Sequence, residues 1–160
     1  MTRPAWSFGR LIWLMPAVFA VHIVEEYGAG FPCWVSSMFG QPMAAGTFLV
    51  NNAGFMVILL GLTIWAAARP STLSAFLLLA WASGNLFWNF VFHLATTVIF
   101  DRFSPGLVTA TLLYLPVSVA VGWAALAQHV LPVAAFVAAT AIGAALMLLV
   151  IWGGLYHFAV

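Results

Sequence analysis

The segment Leu11-Ile-Trp-Leu-Met-Pro-Ala-Val-Phe-Ala-Val-His22-Ile-Val-Glu25-Glu26-Tyr27-Gly28 sets the reading of the whole chain. Most of it is unbroken apolar sequence, and a membrane span needs roughly 20 such residues. Its far end nevertheless carries one imidazole and two carboxylates. Arg3 and Arg10 precede it, as basic residues precede a secretory leader. It runs into His22 rather than a small-residue cleavage site, so it reads as a retained first helix.

The remainder has the same character. Of 160 residues, 66% are hydrophobic and 4% are charged, and the mean hydropathy is +1.15. Soluble domains carry about 25% charged residues. Four arginines, three acids and no lysine cannot clothe a water-facing surface, so the solvent is the lipid bilayer. Disorder is excluded by the same figures. A net charge of +1, with scattered arginines, excludes nucleic acid as a partner. Cys33 stands alone, which excludes an intramolecular disulfide and a cysteine-built metal cluster.

Spans are expected at about 11–28, 46–68, 72–100, 106–127 and 132–157. Arg69-Pro70 and Asp101-Arg102 stop the second and third, and Ser71 is placed to cap the third. The third is long enough to tilt, or to bend near Ser83-Gly84. Pro116 should kink the fourth, whereas Pro132 suits a first helical turn. Residues 28–41, with Phe31, Trp34 and Phe39, read as an interfacial or re-entrant segment. No repeat and no linker divides the chain, and no alternating pattern suggests a β-barrel. The expected fold is all-α: a polytopic membrane helical bundle of five transmembrane helices, with residues 1–160 as a single transmembrane domain.

Arg3, Arg10 and Arg69 fall on one side of such a bundle and Arg102 on the other. The positive-inside rule then puts the N-terminus in the cytoplasm. In that arrangement His22, Glu25, Glu26, Asn51, Asn52, Asn89, His93, Thr109, Thr111, Tyr114 and His157 gather in the outer half, with Asn85 deeper. His129 alone lies toward the other side. On a helix, His22 and Glu26 are about 40° apart, and Glu25 is about 60° away on His22's other side. Asn85, Asn89 and His93 share a second face, continued by Thr96 and Thr97. A carboxylate at bilayer depth costs about 2.5–3.5 kcal/mol, so two adjacent ones call for a proton, a paired base or a cation.

The pattern His22-x-x-Glu25-Glu26, followed by Phe31-Pro32-x-Trp34, resembles the HXXEE-motif family of bacterial membrane proteins. That family is also marked by a further histidine, which His93 fits, and by a Tyr-x-Pro-Gly element. Phe103-Ser104-Pro105-Gly106 fits the latter with Phe in place of Tyr. The resemblance spans residues 22 to 106 and implies the membrane fold, a bacterial inner (cytoplasmic) membrane location and the site, but no reaction.

The leading functional expectation is an integral-membrane enzyme acting on a small lipophilic molecule. In a metal-dependent form, His22, Glu26, His93 and His157 bind a divalent ion such as zinc or iron, with Glu25 as general acid or base and Asn89 assisting. In a metal-free form, one of the close carboxylates Glu25 and Glu26 is the base and the other the acid, which suits an isomerase or hydrolase performing isomerisation, cyclisation or epoxide opening. A proton-coupled small-solute transporter or channel is the alternative, although the inner half offers it no polar path. A non-catalytic assembly role is the third. The faces around Gly143, Ala144 and Met147 allow close helix packing, and a thin five-span bundle is suited to a homo-oligomer.

Overall fold

In the computed structural model, residues 6–40 and 42–153 are described. Among these residues, five helices are long and apolar enough to cross a membrane: α1 (Phe8–Gly28), α3 (Ala45–Ala68), α4 (Thr72–Phe100), α5 (Leu107–Ala127) and α6 (Val133–Trp152). Between the first two spans lies the short helix α2 (Phe31–Phe39), entered and left through Gly30 and Gly40, both in left-handed conformation. The lipid-facing surface is made of side chains such as Val24, Val98 and Ile99, each more than 70% exposed.

Each span carries an irregularity where its sequence forbids a regular helix. Pro16 has no N–H to offer the Ile12 carbonyl, and α1 slips into a turn at Ile12–Trp13. The 29-residue α4 would be about 43 Å long if straight, well beyond the roughly 30 Å hydrocarbon core. It starts on a capping box between Ser71 and Ser74 and passes through a π-helical turn at Ser83–Trp88. A second π-helical turn, Ala110–Tyr114, precedes Pro116 in α5, where the Leu112 carbonyl loses its usual donor.

The π turn of α4 is also where α6 docks. A Cβ on Gly84 would come within 2.9 Å of the Gly143 carbonyl oxygen, and one on Gly143 would overlap the Ser83 hydroxyl. Trp88 Nε1 donates to the Thr140 carbonyl at 2.9 Å, fastening the same pair of helices. The Gly143 face thus packs inside the chain, where its sequence had left packing between protomers open. At the far end of the bundle from His22, the Gln128 side chain ties the start of α1 to the α5–α6 turn. It accepts from the Phe8 amide and donates to the Trp6 carbonyl. His129 sits in that turn, exposed and with φ of 54°.

Candidate metal centre

His22 and Glu26 project from one face of the last two turns of α1, as an i, i+4 pair must. His93 comes from the C-terminal half of α4. All three are buried, with exposures of 1%, 4% and 0%. Nε2 of His22 is 3.5 Å, and Nε2 of His93 3.3 Å, from the same Glu26 oxygen, Oε1. Neither approach has hydrogen-bond geometry, so both buried Nε2 atoms lack a hydrogen-bond partner. The two imidazoles meet edge-on, with centroids 5.0 Å apart. One ligand atom from each residue lies within 4.8 Å of the others.

The outward nitrogens explain this orientation. Nδ1 of His22 lies 2.8 Å from the Thr109 hydroxyl, and Nδ1 of His93 lies 2.9 Å from the Ser104 hydroxyl. When the Thr109 hydroxyl donates to the Gly106 carbonyl, 3.4 Å away, its oxygen is left to accept from Nδ1–H. That tautomer frees the Nε2 lone pair, the form in which histidine binds metal. Gly106, at φ of 104°, lies against both rings: an added Cβ would be 2.7 Å from His93 Cε1 and 2.8 Å from His22 Cε1. Tyr114 packs on His22 with centroids 4.3 Å apart, and Phe31 meets His93 edge-on at 5.7 Å. Thr109→Val and Ser104→Ala should each weaken metal binding about 10–100-fold without unfolding the bundle, as measured by competition with a chelating dye.

Glu25 does not share this cluster, contrary to the expectation of a joint carboxylate site. Its side chain turns toward the start of α5. There it accepts the amides of Gly106 and Val108 at 3.3 Å each, and that of Thr109 at 2.7 Å. A carboxylate on the free N–H groups of a helix start is favoured both by hydrogen bonding and by the helix dipole. Glu25 therefore fixes the backbone that carries Gly106 and Thr109 to the histidines. Glu25→Gln should lower stability by about 1–2 kcal/mol in denaturation of the detergent-solubilised protein, with the metal content unchanged. Loss of all metal in that variant would return Glu25 to the ligand set.

Of the other anticipated residues, Asn89 lines a cavity of about 430 Å³ together with His22, Glu26, Asn51, Asn52 and Asn85. The face that sequence spacing assigned jointly to Asn85, Asn89 and His93 is thus divided. Both amides border the cavity, whereas His93 turns to Glu26. Thr96 caps back onto its own helix, and Thr97 accepts the Ser104 amide. Phe103, at the position of the family's tyrosine, is 54% exposed. His157 lies outside the described residues. Sequence reasoning passed over Ser104, because it occupies the variable position of the Phe103-x-Pro105-Gly106 element. Thr109 was noted only as a polar residue at the right depth. Its position three residues after Gly106, at a helix start, was the available signal.

Fold and site together define a polytopic α-helical membrane protein with a buried cluster of two histidines and one carboxylate capable of holding a divalent ion. The chain belongs to the family described as proteins of unknown function with an HXXEE motif, whose family model matches residues 13–121, about two thirds of its length. The match takes in His22, Glu25, Glu26, His93 and Gly106 and leaves α6 outside it. No curated protein and no solved structure matches the chain.

Proposed function

We propose that this protein is an integral-membrane metalloenzyme that acts on a small lipophilic molecule. His22, Glu26 and His93 hold a zinc or iron ion at the wall of the adjoining cavity. The observation that carries this reading is the pair of buried Nε2 atoms, without hydrogen-bond partners, beside a buried carboxylate. Two imidazoles and one carboxylate are the ligand set of catalytic zinc sites and of mononuclear non-haem iron sites, both of which keep open positions. Such an ion would supply Lewis acidity toward an oxygen function of the substrate. The metal-free pairing of two carboxylates is disfavoured, because Glu25 is engaged with the start of α5.

The chain's own residues have separable tasks. Thr109 and Ser104 hold the outward nitrogens of the histidines, Gly106 and Tyr114 fix the ring positions, and Asn89 presents a polar group beside the reacting end. The cavity's aromatic rings, set among its amides, suit isomerisation, cyclisation or epoxide opening of an apolar substrate. A carrier would need a polar route onward. The second cavity, in the other half of the bundle, is walled mainly by apolar side chains such as Met15, Leu79, Val121 and Phe136.

Elemental analysis of detergent-purified protein tests the reading. About one zinc or iron per chain is expected in the unaltered protein, and a metal-free preparation that still turns over substrate would overturn it. The proposed orientation has the N-terminus in the bacterial cytoplasm. Reporter fusions at Arg69 and Gln128 should then be cytoplasmic, and a fusion after Asp101 exported. The opposite pattern would invert the sidedness of the site.

A further inference from the structure

The amides beside the metal centre carry information about what enters the cavity. Asn52 donates its Nδ2 to the Phe48 carbonyl at 3.0 Å, and Asn85 donates its Nδ2 to the Trp81 carbonyl at 2.9 Å. Each bond ties the amide nitrogen to the preceding helical turn and leaves Oδ1 as an acceptor. Asn89 Oδ1 is buried and has no hydrogen-bond partner. All three residues line the cavity. The wall thus offers amide oxygens as acceptors beside the remaining amide N–H groups, and the Asn89 oxygen is the one that lacks a donor, which is costly for a buried acceptor.

The charges narrow the choice. Among the described residues no arginine or lysine lines the cavity, so a carboxylate or phosphate head group would find its counter-charge only in the ion, and an ionised carboxylate has no hydrogen to donate to the Asn89 oxygen. A divalent ion at the cluster would in turn repel an ammonium. What remains is an uncharged head whose oxygen has a lone pair for the ion and whose hydrogen can be donated to an amide. Phe31, Phe48, Phe55 and Phe92 complete the wall with apolar rings. The volume, about 430 Å³, falls in the range of pockets that take small organic molecules, roughly 300–1,000 Å³.

We infer that the ligand of this cavity is an uncharged lipophilic alcohol whose hydroxyl lies between the Asn89 amide oxygen and the His22–Glu26–His93 cluster. This rests on the reading of that cluster as the reacting end of a substrate site. A saturated primary alcohol is the minimal probe. Radiolabelled 1-dodecanol is equilibrated with the full-length, immobilised protein in lipid nanodiscs. Unlabelled dodecanol, dodecyl methyl ether and dodecanoate then compete for it, and metal content is measured on the same samples. Saturable dodecanol binding is expected, with the ether and the carboxylate competing at least ten-fold more weakly. Asn89→Leu should lose at least ten-fold in dodecanol affinity while keeping its metal. If that variant does not fold, the competition series on the unaltered protein decides alone. Dodecanoate or the ether competing as well as dodecanol, or no saturable dodecanol binding, would overturn the inference while leaving the metal reading intact. Selective dodecanol binding by a protein that carries no metal would support the alcohol site and overturn the metal reading.

Discussion

Replacing any one of His22, Glu26 and His93 with alanine should reduce bound zinc or iron from about one per chain to near zero. The double variants should be scarcely worse than the singles. The three side chains come from two different helices, and the two imidazoles converge on one oxygen of the third, Glu26 Oε1. An ion held by three protein ligands loses most of its affinity with the first, and little binding is left for a second substitution to remove. Residues that act as a unit show this grossly non-additive loss. Activity, once a substrate is in hand, should follow metal content. His129→Ala serves as the control, because that residue is exposed in the turn at the opposite end of the bundle. If the three single losses were partial and multiplied in the double variants, these residues would be acting independently and the cluster would not be one site.

Gly106→Ala should have the second-largest effect, on a residue that contributes no side chain to the site. The backbone there has φ of 104°, where a residue with a Cβ is strained by about 1–3 kcal/mol. The new methyl would also sit 2.7–2.9 Å from atoms of both imidazoles, which must move or be displaced. Metal affinity should fall on the order of 100-fold, the upper end of what outer-shell changes produce. Gly54→Ala, in the second span and with nothing within 4 Å of the added methyl, should be neutral in the same titration. A Gly106→Ala protein that binds metal normally would show that the rings have more room than the structure gives them.

These two predictions draw on different depths of legibility. The five spans follow from hydropathy and length alone, because a bilayer demands about 20 apolar residues and little else competes with that signal. The start of α4 was equally readable: Ser71 caps it, and the widened turn falls at Ser83-Gly84, where a long helix with a small-residue pair would give way. The nearness of His22 to Glu26 follows from their spacing of four. Which carboxylate would turn inward did not follow. Glu25 and Glu26 flank His22 on the helical wheel almost symmetrically, and only the packing of α5 separates them. Periodicity also put Asn89 and His93 on one face. It could not show that one borders a cavity while the other closes onto α1. The roles of Ser104 and Thr109 did not follow from spacing, because a hydroxyl that orients an imidazole can lie anywhere along the chain; its partner is 11 residues away in one case and 87 in the other.

Metal-edge X-ray absorption on the purified, unaltered protein beside His93→Ala tests the central claim most directly, because it reports the ligands as well as the ion. The account predicts a zinc or iron edge with a mixed nitrogen and oxygen first shell and the outer-shell scattering of two imidazoles. In His93→Ala the absorbing metal should be lost, or the imidazole scattering should fall to that of one ring. A site with no imidazole scattering, or one whose spectrum is unchanged by His93→Ala, would contradict it.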